Sequence, residues 1–323
     1  MLWNISIINE LEWKKIIRSA AFVLLALCMG YSFETTFAQE AGQKTFASPA
    51  DAGRALFTAM QEPEDRALLE ILGPTGKDVV SSGDPTEDLD ARANFRVKYE
   101  EMHRFVTEPN GTVTLVIGAE NWPLPIPLVN KNGAWYFDTK AGKDEILFRR
   151  IGKNELFAIQ ACSDLVDAQK VYFEKAPYGN SGEYAQKLVS DEGKHNGLYW
   201  DKAGDQVDSP IDPLIAYARQ NHPANQVGSG IPFNGYYFRI LTSQGSNAPG
   251  GAKNYIVNGK MTLGFAFVAY PAEYRSSGVM TFIVSKSGTI YEKDLGPNTT
   301  VDAQAITAYN PDSSWHKAEL PID

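Results

Sequence analysis

The sequence predicts an α+β protein of two domains. The first is a cone of helices followed by an antiparallel sheet; the second is a helix packed on an antiparallel meander. Three observations predict this. The chain has 323 residues, and ~150 residues per domain suggests about two domains. Apolar residues recur at helical spacing across roughly 48–105 and again across 154–172, and each helical stretch gives way to one with period two, at 112–137 and at 236–293. Turn signals punctuate both β stretches. The expected layout is a signal peptide at 1–38, the first domain at 45–152, the second at 153–310 and a tail at 311–323.

The N-terminus reads as an export signal. Lys14, Lys15 and Arg18 form a basic region, Ala20 to Phe33 an apolar run interrupted by Gly30 and Ser32, and Thr36-Phe37-Ala38 puts small residues at the −3 and −1 positions, so cleavage is expected after Ala38. The run is shorter than the ~20 residues of a membrane span, and no span is expected after cleavage. Residues 1–13 are long for a basic region and carry Glu10 and Glu12, which points to a true start near Leu11 as an alternative. Cys28 follows Leu27 rather than the small residue that lipidation favours. The periplasm or the cell exterior is the expected location.

Ser48-Pro49-Ala50-Asp51 reads as an N-cap, a proline at the first helical position and an acid in the first turn, with Ala52, Leu56, Phe57 and Met60 on one face. Pro63 opens a second short helix through Leu72, closed by Gly73-Pro74. Asp84-Pro85-Thr86-Glu87 repeats the cap and starts a longer helix, with Leu89, Ala93, Val97 and Phe105 expected to face inward. Thr112 to Ile117 is the first strand. Leu124–Val129 and Ala134–Phe137 flank Asn130-Lys131-Asn132-Gly133, a hairpin signal. Pro123, Pro125 and Pro127 share one parity, which places their strand at a sheet edge.

Lys140 to Arg150 is expected to be helical and to break at Gly152. Asn154 then caps an amphipathic helix with Leu156, Ile159, Cys162, Leu165 or Val166, Ala168 and Tyr172 on its apolar side and Glu155, Ser163, Asp164, Asp167 and Lys170 on the other. Cys162 on the apolar stripe reads as a buried thiol. Residues 176–233 are rich in Gly, Pro, Asn, Asp and Ser, with short helices expected at Tyr184–Val189 and Pro213–Gln220. Strands follow at Tyr236–Thr242, Asn254–Val257, Leu263–Tyr270, Val279–Ser285 and Thr289–Lys293, with turns at Asn258-Gly259 and Lys286-Ser287-Gly288. Residues 297–323 have no clear period.

Composition excludes several functions. The chain carries 30 Lys+Arg against 39 Asp+Glu, a net charge of −9, so no basic stripe is available for phosphates and no nucleic-acid partner is expected. The leader holds three charges of each sign, so −9 persists after cleavage. Two cysteines, one of them in the leader, rule out a disulfide scaffold. His103, His195, His222 and His316 lack metal spacing. Gly73-Pro74-Thr75-Gly76-Lys77 lacks the spacing of a phosphate-binding loop, and no nucleophile elbow occurs. No catalytic residue, metal or cofactor is assigned. Asp84, Glu87, Asp88 and Asp90 crowd a helix start, where the macrodipole favours them. Asp201, Asp205, Asp208 and Asp212 share a loop; Ca²⁺ is the alternative at both clusters, although the EF-hand spacing is missing.

Aromatic residues are the excess that invites a binding reading. Sheet packing accounts for most of them. Trp122, Trp135, Tyr199, Trp200, Tyr270 and Tyr274 are the candidates to line a groove for a glycan or a peptide.

Several stretches resemble a bacterial exported family, domain-of-unknown-function family 2950. They include Leu72-Gly73-Pro74-Thr75-Gly76, Asn121-Trp122-Pro123-Leu124-Pro125-Ile126-Pro127, Gly197-Leu198-Tyr199-Trp200 and Tyr270-Pro271-Ala272-Glu273-Tyr274. The likeness runs from about residue 45 to 310 and implies an envelope protein rather than an activity. The order of elements in the first half is similar to a nuclear-transport-factor-2-like cone. The second half is similar to the head of type IV pilins and pseudopilins, without their fully apolar N-terminal helix. The expected function is a non-catalytic envelope module that binds or helps to assemble another component, an envelope protein or a glycan. The alternatives are a hydrolase with a carboxylate or histidine site in the first-domain pocket and a pilin-like structural subunit.

Overall fold

The computed structural model describes residues 39–81, 85–175, 182–201, 208–218 and 231–318. The export signal with Cys28 and Ala38, the Asp84 cap, Asp205 and His222 lie outside the described residues. The chain is an α+β protein whose sheets are antiparallel throughout. It divides at Arg149/Arg150 into two compact units.

In the first unit, helix α1 (Pro49–Ala59) begins as the sequence dictates: the Ser48 hydroxyl accepts the Asp51 backbone N–H at 3.1 Å. Helix α2 spans Arg66–Leu72, starting three residues after Pro63, because Asp65 rather than Pro63 takes the N-cap position. Gly73, at φ 80°, ends it, and a 3₁₀ turn (Pro74–Gly76) leads into the short helix α3 (Lys77–Val80), neither of which the apolar spacing signals.

Helix α4 (Pro85–Glu101) forms where expected but turns its other side inward. Ala91, Phe95 and Tyr99 are buried, whereas Leu89 and Val97 are 53% and 63% exposed, and Phe105 belongs to the following strand. The reason is Arg92. It lies on the buried stripe, its guanidinium donating to the Glu62 and Pro63 carbonyls at 3.0 and 3.1 Å and pairing with Asp65. A buried cation paired with a carboxylate and hydrogen-bonded through both terminal nitrogens is tolerated in the interior, but in a sequence pattern it marks that stripe as polar.

The sheet of this unit runs β1 (His103–Thr107), β2 (Val113–Ile117), β4 (Leu128–Lys131), β5 (Ala134–Phe137), with the two-residue β3 (Trp122–Pro123) also paired to β2. The expected edge strand Leu124–Val129 does not form. Leu124 still donates to the Leu115 carbonyl at 2.7 Å; the chain then leaves the β2 ladder at Pro125 and Pro127, Leu124 and Ile126 dip into the core, and pairing with β2 resumes only at Leu128. A proline at every second residue removes too many donors even for an edge. The Asn132-Gly133 turn is as predicted, with both residues at positive φ (55° and 85°) and Lys131 opposite Ala134.

Helix α5 (Thr139–Lys175) is continuous through 37 residues; its first part belongs to the first unit and residues 150–175 to the second. The expected break at Gly152 is absent. A mid-helix glycine costs only about 1 kcal/mol and removes no backbone donor. Asn154 does not cap, since its amide donates to the Ser277 carbonyl at 2.9 Å.

In the second unit, α6 (Pro213–Tyr217) is the only helix found in the connecting region among the described residues. The expected helix at Tyr184–Val189 is instead extended chain bridging Met261 and Tyr199. Strand β6 (Tyr236–Leu241) is followed by two small ribbons: β7 (Ser243–Gln244) with β8 (Lys253–Asn254), and β9 (Ile256–Val257) with β10 (Lys260–Met261). Next come β11 (Ala266–Pro271), β12 (Met280–Ser285) and β13 (Ile290–Asp294), then helix α7 (Thr299–Ala305) and β14 (His316–Lys317). The main sheet is ordered β14-β13-β12-β11-β6. Strand β11 is buried along its whole length, and its core merges with the apolar stripe of α5, including Cys162, Leu165 and Val166. Helix α7 and β14 lie in the stretch without sequence period; β14 extends the sheet from the segment expected to be a tail.

Candidate functional site

The outer face of α5 in the second unit follows from its spacing. Phe157, Gln160, Asp164, Asp167 and Val171 succeed one another by three or four residues and stay in contact with solvent, while Ala158, Cys162, Leu165 and Ala168 turn to the core. The second wall comes from residues 208–217. Ser209 ties this segment down, its hydroxyl accepting the Trp200 N–H at 2.9 Å and donating to the Trp200 carbonyl at 2.7 Å. Asp212 then caps α6, accepting the Leu214 N–H at 2.7 Å, with Pro213 at the first helical position.

Between these walls lies a groove of about 340 Å³ lined by Asp164, Asp167, Ala168, Val171, Pro210, Ile211, Asp212 and Ile215. Five of the eight are apolar and three are aspartates. Gln160 donates to Asp164 at 2.9 Å, and Lys170 donates to Asp167 at 2.8 Å. Lys170 offsets one carboxylate, while the amide on Asp164 and the backbone N–H on Asp212 leave their charges in place. The arrangement offers an apolar floor under negative charge.

Tyr199 adjoins this wall. Its hydroxyl donates to Asp201 at 2.8 Å and its ring meets Tyr217 edge-on at 5.4 Å. Burial pushes this phenol up to about 12, with the Asp201 hydrogen bond and the charges of Asp201 and Asp212 adding to it, so the hydroxyl remains a donor at neutral pH.

The other aromatic candidates fall elsewhere. Trp200 and Tyr270 are core residues, 6% and 3% exposed. Trp200 packs edge-on against His195, and Tyr270 packs against Tyr237. Tyr274 donates to Asp294 at 3.1 Å under the Arg275 guanidinium. Trp122 and Trp135 belong to the first unit. The first is half-buried beneath Arg149, 5.5 Å from its ring. The second sits on β5, where Phe46 pairs with it through two 2.8 Å backbone bonds. None of the six is among the described residues that line the groove.

The first-unit histidine is engaged structurally: the ring of His103 stacks on Tyr99 at 3.9 Å, and its Nδ1 lies 2.9 Å from the Tyr99 carbonyl. Among the described residues no three His, Cys, Asp or Glu side chains are placed to hold a metal ion, and no helix is long and apolar enough to cross a membrane.

Sequence reasoning put Glu155 on the polar face of its helix. Its Oε1 instead accepts the backbone N–H groups of Val279 and Met280 at 2.9 and 3.0 Å. Burial pushes this carboxyl up, the two N–H bonds pull it back, and the nearby Asp294 charge adds to the rise. Nothing local in the sequence pairs residue 155 with 279. A glutamate opening an apolar stripe next to a non-capping asparagine is the nearest signal.

Fold and site define an α+β protein with an acid-rimmed apolar groove in its second unit. Residues 43–318 match the family described as "Protein of unknown function (DUF2950)", and the chain belongs to that family. No curated protein and no solved structure matches the chain.

Proposed function

We propose that the protein is exported to the periplasm or the cell exterior, with its leader cut after Ala38, and acts there as a non-catalytic module that binds another component through the α5–α6 groove. The observation that carries this reading is the groove itself, an apolar floor with carboxylates at its rim. Concave, mostly apolar sites with a few placed polar groups are the usual form of binding sites. The leader pattern of Lys14, Lys15 and Arg18, the apolar run and Thr36-Phe37-Ala38 supports export.

The test has two arms. Fractionation with mass spectrometry of the N-terminus is expected to find the chain outside the cytoplasm beginning at Gln39; cytosolic protein with an intact leader overturns the export reading. Affinity capture with the mature chain is expected to recover a stoichiometric partner that Val171→Arg loses. Val171 is 37% exposed, so that variant tests binding rather than folding. Equal capture by both forms removes the groove from the function.

The finer likenesses are part of the same proposal. Helices followed by an antiparallel sheet support a cone-like first domain (45–152), and a helix on a five-stranded antiparallel sheet supports a pilin-head-like second domain (153–310). The outer stripe of α5 is polar at Gln160, Asp164 and Asp167, which favours binding over filament packing.

A further inference from the structure

We infer that the occupant of the groove is a short peptide segment of a partner protein in which a lysine or arginine neighbours an apolar residue. This rests on the binding reading above and names its ligand. Among the described residues, five apolar side chains form the floor, three aspartates stand over it, and no Lys or Arg is in the lining. The volume, about 340 Å³, sits at the low end of the ~300–1,000 Å³ of ligand sites, which suits one or two side chains of a segment rather than a folded surface.

A long cationic side chain has the complementary build, an apolar stem with a charged head. The stem suits Ala168, Val171, Ile211 and Ile215, and the head suits Asp164 and Asp212, the two carboxylates of the lining that pair with no cation among the described residues. Lys170 is bound to Asp167 at 2.8 Å, so the rim keeps net negative charge. Leu214, 64% exposed two residues after the cap Asp212, offers an apolar shoulder for the neighbouring residue of the segment. The net charge of −9 favours approach by a basic partner.

The experiment uses the mature chain, ¹⁵N-labelled, titrated with the blocked peptide Gly-Ile-Lys-Val-Gly and with the same peptide carrying norleucine for lysine. The lysine peptide is expected to shift amides of residues 164–171 and 210–215. Its affinity is expected to fall at least five-fold with norleucine, in Asp164→Asn/Asp212→Asn, and on raising NaCl from 20 to 200 mM. Asparagine keeps both the α6 cap and the Gln160 contact, so this variant is expected to fold. Equal shifts by both peptides at the groove overturn the cationic ligand while leaving groove binding standing. Shifts elsewhere, or none, overturn the inference, and the Val171→Arg capture then decides the broader reading separately. Butylamine matching the peptide's shifts and affinity would make the ligand a small amine. Groove shifts that depend on protein concentration alone would make it a second copy. Either result overturns the peptide assignment.

Discussion

Glu155 shows how a single residue departs from its pattern. Its carboxyl is pushed up by burial and by Asp294, so the folded state holds the proton more tightly than the unfolded one. Stability from this group is therefore full below the ordinary carboxylate value of 4.5 and is lost as pH rises toward the elevated folded value. Glu155→Gln keeps an oxygen for Val279 and Met280 and removes the charge. It is expected to be at least as stable as the parent at pH 7, with the difference shrinking toward pH 4, as read by urea unfolding across that range. Glu155→Leu strands the two N–H groups and is expected to cost about 1–3 kcal/mol for each one left unsatisfied. Cys162 is a second case. Burial pushes its thiol up to about 12, so a thiol-specific disulfide reagent is expected to leave the native protein unmodified for hours and to react fully in guanidinium.

At the level of elements, helix α4 illustrates why a hydrophobic stripe is an ambiguous signal. Two stripes compete on one helix, and the one that wins carries Arg92. Phe95→Ala is expected to destabilise by about 3–5 kcal/mol because it empties a core position. Leu89→Ala and Val97→Ala are expected to stay within about 0.5 kcal/mol; denaturant midpoints at constant slope measure all three, and equal losses would mean that the inward stripe is the other one. The Asn132-Gly133 turn was legible because its backbone needs positive φ at both positions, a local steric demand. Gly133→Ala is expected to cost about 1 kcal/mol without changing the fold, checked by thermal unfolding and circular dichroism. The proline segment and the Gly152 helix failed to follow their local signals for opposite reasons. Alternating prolines removed ladder donors that pairing needs, whereas one glycine removed nothing that a helix needs.

Across the whole molecule, the two buried clusters share no residue, so each unit has a core of its own. Hydrogen exchange of Phe95→Ala is expected to accelerate amides of the first core, such as Leu115 and Ile117, while those of Val268 and Ile283 in the second keep parental rates. Uniform acceleration would mean one cooperative body. Of the candidate site, the sequence pointed to Tyr199 beside the groove and to Asp212 in it, but through a set of aromatics and a set of acids of which no other member is among the described residues lining the groove. Asp164 and Asp167 were readable as the polar face of a helix; that they share a groove with Pro210 and Ile211 was not.

The amino-acid order by itself determined the fold class, the cap at Ser48, the Asn-Gly turns, the strong strands and the burial of Cys162, because these depend on steric and hydrophobic preferences acting within a few residues. Only the tertiary structure decided which stripe of α4 is buried, where Glu155 finds its two donors and which aspartates stand over an apolar floor. Each of these pairs residues far apart in the chain, and the free energy that selects among competing local patterns comes from contacts that exist only once the chain has closed on itself.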